Sequence, residues 1–125
     1  MTLVLDAGAL LAYERGDRTV QAFLERASRN GIEVLTTTGV VAQVWRNGTR
    51  QARLGRLLRG VLEVELGRSR GRQVGALLGA AGRSDVVDGS VVDAASDGSE
   101  ILTSDPHDIA ALAAVSGKTI VVTRV

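Results

Sequence analysis

Ile101-Leu102-Thr103-Ser104-Asp105-Pro106-His107-Asp108 passes within eight residues from an apolar strand, through an acid, into the start of a helix. The apolar run is short and ends in turn-forming polar residues, as a buried strand does. Asp105 then reads as an N-cap, Pro106 as the first helical residue and Asp108 as the third. Leu3-Val4-Leu5-Asp6-Ala7-Gly8 repeats the transition near the other end of the chain. A strand handing over to a helix, twice and with an acid at each junction, is the building unit of a parallel α/β sheet.

Reading outward from these junctions, strand-length apolar segments alternate with longer helical patterns. Helical periodicity runs over Ala7 to Glu14 and over Arg18 to Ser28, where Val20, Phe23, Leu24 and Ala27 share a face and Asn30-Gly31 ends the helix. Ile32 to Leu35 is a second strand and Val61 to Val64 a third; between them lie helices at Val40 to Arg46 and at Gln51 to Leu58. Val74, Leu77, Leu78 and Ala81 stripe the next helix, which Gly82 closes. Thr119 to Val122 is the last strand, after a helix from Asp108 to Val115. Such alternation requires crossovers and predicts an α/β sandwich with helices on both faces of a parallel sheet. No linker or repeat divides the chain, so residues 1–125 are expected to form one domain.

Composition removes several function classes. The chain contains no cysteine, which excludes disulfides, thiolate metal sites and cysteine nucleophiles and agrees with a reducing compartment. No apolar run approaches the roughly 18 residues of a membrane helix, and Asp6 interrupts the N-terminal one, so a cytoplasmic location is expected. Charge is unevenly placed: Arg46 to Arg72 holds eight arginines against Glu63 and Glu65, whereas Ser84 to Gly117 holds seven acids and no Lys or Arg. Arginine suits phosphate, so a basic face beside an acidic pocket suits a nucleic-acid substrate; a solvated helix face is the plainer alternative. Arg46, Arg50 and Arg53 recur at helical spacing and predict one stripe.

In an open parallel sheet, ligands gather beyond the carboxyl ends of the strands, which is where Asp6 and Asp105 fall. Each can equally serve as a helix cap. Asp88 is different. With Ser84 as the cap of its helix, Asp88 shares a face with Val91, Val92 and Ala95, an apolar stripe. A carboxylate there is partly buried and needs a partner, either a cation or a distant arginine such as Arg46. Hard divalent ions take oxygen ligands, so clustered acids would serve magnesium. Asp85, one turn earlier, either supports such a site or simply favours the helix N-terminus. Asp93 and Asp97 are expected in solvent, and His107 at the surface.

Val4-Leu5-Asp6-Ala7, Val41-Ala42-Gln43-Val44-Trp45, Asp88-Gly89-Ser90-Val91-Val92 and Leu102-Thr103-Ser104-Asp105 together resemble the successive motifs of PIN-domain ribonucleases, including VapC-type toxins. The resemblance implies a PIN-like α/β/α sandwich around a central five-stranded parallel sheet. It implies catalytic positions at Asp6, Gln43, Asp88 and Asp105, with Asp6, Asp88 and Asp105 as ligands of Mg2+ for which Mn2+ can substitute. Asp108 matches an accessory acid, and Thr103 or Ser104 would orient the ligands. The implied activity is magnesium-dependent endoribonuclease cleavage by the toxin of a toxin–antitoxin pair.

One position departs from the family pattern. Gln43 stands where an acid is usual, which keeps an oxygen but removes a charge and a proton acceptor; alternatively, Gln43 only hydrogen-bonds within its helix. A catalytically weak RNA- or partner-binding module is therefore the competing reading. Arg46, Arg50 and Arg53 would contact RNA phosphates. Trp45 would pack in a core or an interface, and the resemblance further implies a homodimer and an antitoxin whose acidic segment covers Arg46 to Arg59.

Overall fold

The computed structural model describes residues 1–125. Five strands, β1 (Thr2–Leu5), β2 (Glu33–Thr37), β3 (Leu62–Val64), β4 (Ser99–Thr103) and β5 (Ile120–Arg124), form one parallel sheet in the order β3-β2-β1-β4-β5. Seven helices connect them: α1 (Ala7–Glu14), α2 (Arg18–Arg29), α3 (Thr38–Val44), α4 (Ala52–Leu58), α5 (Arg68–Ala81), α6 (Val86–Ala94) and α7 (Pro106–Val115). The chain lays β1, β2 and β3 outward in one direction, then crosses back over β1 to add β4 and β5 on the other side. Right-handed crossovers therefore place α1 to α4 on one face and α5 to α7 on the other. No helix is long and apolar enough to cross a membrane.

The expected α/β/α sandwich with five parallel strands is the observed one. Val4 and Leu5 of β1 and Ile101 and Leu102 of β4 are fully buried, because central parallel strands are covered on both faces. Val40 and Val44 of α3 and Leu54 of α4 cover one side; Val74 of α5, Val91 and Val92 of α6, and Ile109 and Leu112 of α7 cover the other.

Several boundaries differ from expectation, β4 beginning at Ser99 and β5 running on to Arg124 among them, and three of the differences have identifiable reasons. Strand β2 extends to Thr37 instead of stopping at Leu35, since Thr36 Oγ1 donates to the Leu5 carbonyl at 2.6 Å and Thr37 Oγ1 accepts from Val40 N as the cap of α3. Helix α3 ends at Val44, not Arg46. There Gln51 Oε1 accepts from Arg46 N at 2.8 Å and Asn47 N at 3.0 Å, while its amide donates to the Val44 carbonyl at 2.8 Å, turning the chain into a 3-10 turn at Gly48–Arg50. Arg46, Arg50 and Arg53 consequently lie on a loop, that turn and α4, so they are exposed but do not form a single helical stripe. Finally, Asp85 and not Ser84 caps α6, accepting from Asp88 N at 3.0 Å.

Candidate metal centre

The sheet order reverses between β1 and β4, so the loops leaving these strands diverge and open a crevice beyond their carboxyl ends. Asp6 and Asp105 stand on its two lips. Asp6, 5% exposed, accepts from Ala7 N at 2.7 Å through Oδ1 and from the Thr103 hydroxyl at 2.7 Å through Oδ2. The same Thr103 oxygen accepts from Asp105 N at 2.9 Å. A single buried hydroxyl thus ties the β1 acid to the loop bearing the β4 acid. Asp105 sits at the cap position of α7 but makes no side-chain capping bond, and it is exposed.

Helix α6 brings Asp88 to the same place. Asp88 occupies the third helical position, half-buried, on the face that carries the buried Val91, Val92 and Ala95. No ion pair reaches it; the two in the molecule join Arg70 to Asp93 and Arg83 to Asp108. Burial first, and then the charges of Asp85, Asp6, Asp105 and Asp108, push the Asp88 carboxyl up from 3.8 to about 7. Asp105 is raised as well, first by hydrogen bonding with the Asp108 side chain, then by slight burial and by the charges of Asp108 and Asp6. Oxygens of Asp88, Asp105 and Asp108 all lie within 4.8 Å of one another. Hard carboxylate donors crowded at a half-buried site, with an excess of negative charge, fit a divalent cation.

The grouping differs in membership from the sequence-based set. Asp108, expected as an accessory, is one of the three close carboxylates, whereas Asp6 stands beside them, its oxygens occupied by Ala7 N and Thr103. Asp85 is the α6 cap. Ser104 is exposed and packs its side chain onto α1: a Cβ on Gly8 would lie 2.2 Å from its Oγ. Gln43 is exposed on α3, and no side-chain hydrogen bond, to its helix or to the acids, involves it. Trp45, 38% exposed, lies over Gly48 and Gly55. His107 is exposed. Asp93, expected in solvent, pairs with Arg70 at 3.0 Å, and Asp97 accepts from Thr119 N at 2.6 Å.

Sequence reading missed three supporting residues. Gly8 permits the close approach just described, a Gly-at-an-element-start signal that its neighbours do not announce. Ser90, buried on α6, donates to Val87 O at 2.7 Å, and its Oγ is hydrogen-bonded with Thr37 Oγ1 at 3.1 Å, linking α6 to β2. Arg83 lies one residue before the acid-rich tract and pairs with Asp108 across a separation no local pattern reveals.

No protein-family profile matches the chain, and no curated protein sequence does. Among solved structures, it is similar to the crystal structure of VapBC2 from Rickettsia felis bound to a DNA fragment from their promoter. The superposition covers 100% of this chain and 99% of that chain with a TM-score of 0.74, at 11% sequence identity. That likeness establishes the fold, which is PIN-like.

Proposed function

We propose that this chain is a divalent-metal-dependent endoribonuclease, acting in the cytoplasm as the toxin of a toxin–antitoxin pair. The observation that carries the reading is the convergence of Asp88, Asp105 and Asp108 within 4.8 Å at the crevice where the sheet order reverses, with no basic partner on Asp88. Asp88 and Asp105 would hold Mg2+, with Asp108 completing the set and Asp6 adding charge from its bonded position. When bound, the ion would lower the pKa of a water, orient it toward a phosphodiester and neutralise the developing charge. Thr103 keeps Asp6 and the Asp105 loop in fixed relation, and Asp85 fixes the first turn of α6 beneath Asp88. Arg46, Arg50 and Arg53, all exposed, would contact RNA phosphates.

The neutral, unbonded Gln43 favours a second reading, a PIN-like module that binds RNA or a partner with little cleavage. Incubation of the purified chain with structured RNA and Mg2+, beside Asp88→Asn, separates the two. Magnesium-dependent fragments from the wild type and at least a hundredfold fewer from the variant support the nuclease. Retention of intact RNA at every magnesium concentration supports the binding module.

A further inference from the structure

We infer that Arg83 is a built-in counter-ion of the acid cluster, one that a divalent cation must displace or share Asp108 with, so that this arginine sets the resting metal affinity of the site. The inference rests on the metal-centre reading above and deepens it. Arg83 is not a loosely placed surface arginine. Helix α5 ends with Gly82 in the left-handed conformation at φ +64°, and Arg83 N donates to the Leu78 carbonyl at 2.9 Å, so the residue two past the helix end is fixed by the helix's own closing turn. From there the guanidinium reaches across to the first turn of α7 and donates through Nη1 to Asp108 Oδ1.

The chemistry of that contact is specific. Asp108 has a second oxygen, and its carboxylate is within 4.8 Å of those of Asp88 and Asp105, which have no basic partner. The cluster is therefore partly charge-balanced by a cation the chain carries itself. An incoming divalent ion meets one fewer effective negative charge and a like charge next to its third ligand. A unit charge beside a divalent ion in a largely solvated site is worth about a factor of ten in affinity. As a stabilising bond the pair contributes little, since both side chains are more than a third exposed. Removal of Arg83 should therefore change metal binding far more than folding.

Titration of the full chain with Mn2+, with free Mn2+ read by electron paramagnetic resonance at constant ionic strength, tests this. Arg83→Gln should bind about tenfold tighter than the wild type, Arg83→Lys should stay within about twofold of it, and the melting temperature of each in EDTA should move by no more than a few degrees. If the wild type binds Mn2+ and Arg83→Gln binds no tighter, or if Arg83→Lys tightens equally, the inference fails while the metal centre stands. If neither the wild type nor Arg83→Gln binds, the metal centre itself fails, and the role of Arg83 with it.

Discussion

Asp88 concentrates the tension of the site in one carboxyl group. Its pKa near 7 in the folded chain, against 3.8 ordinarily, means that the folded protein holds more protons than the unfolded one between about pH 4 and pH 7. Stability without metal should therefore fall as pH rises through that window and level off above it. Asp88→Asn removes the cost: in EDTA the variant should melt a few degrees above the wild type at pH 8, with the gap closing toward pH 4. Adding Mg2+ should reverse the order at pH 8 by stabilising only the wild type. Differential scanning calorimetry over this pH range measures both effects, and a gap that grows on acidification would refute the assignment. Thr103 is the second residue on which the site turns. Thr103→Val leaves one buried Asp6 oxygen without its donor and Asp105 N without its acceptor, for an expected loss of about 1–3 kcal/mol in urea unfolding.

At the scale of elements, α6 decides whether Asp88 stays in place, and it is secured along its whole length. Asp85 caps its first turn, Ser90 ties its middle to β2, and Gly89 lets α5 approach so closely that a Cβ there would sit 2.8 Å from Val74 Cγ1. Its last turn is held by the only lysine in the chain: Lys118 Nζ donates to the carbonyls of Val92, Asp93 and Ala95 at 3.3, 2.9 and 2.7 Å. A cation at a helix C-terminus satisfies carbonyls that have no partner within the helix. Lys118→Met should cost about 2 kcal/mol in urea unfolding, and hydrogen exchange should quicken in α6 before it quickens in β1. Uniform loss across the molecule would show that Lys118 does not act through this helix. Contacts of this kind mark where sequence reading stops. Elements such as α2 and α5 were legible because an apolar stripe and a closing glycine are local signals. The end of α3 was not, because it depends on Gln51 reaching back over seven residues to Val44, and the Arg83–Asp108 pair was not, because 25 residues separate its partners. For the acids, spacing on a helix revealed that Asp88 is half-buried, but only the folded chain reveals that Asp108 joins Asp88 and Asp105 while Asp6 is spent on Ala7 and Thr103.

Over the whole molecule, the reversal of strand order at β1 brings together acids that lie nearly a chain length apart, and the same topology places the arginine-rich α3–α4 region and the acid-bearing α6 and α7 on opposite faces of one sheet. A phosphate chain that ran from the acids over the α3–α4 face would meet exposed arginines there. Arg46, Arg50 and Arg53 sit on three separate pieces of backbone, so they offer three independently placed charges and no single rigid ridge. They should therefore act additively, each through release of counterions and with little preference for base sequence. For a single strand, each phosphate contact contributes roughly 0.7 to the slope of log affinity against log salt. In an Asp88→Asn background with EDTA, which keeps the RNA intact, replacing all three arginines by glutamine should lower the magnitude of that slope by about 2. Each single replacement should lower it by roughly a third as much. Fluorescence anisotropy of a labelled RNA at increasing KCl measures these slopes. If the triple variant keeps the wild-type slope, the substrate does not pass over α3 and α4. If one arginine accounts for the entire change, that residue alone faces the substrate, and the other two belong to a different surface.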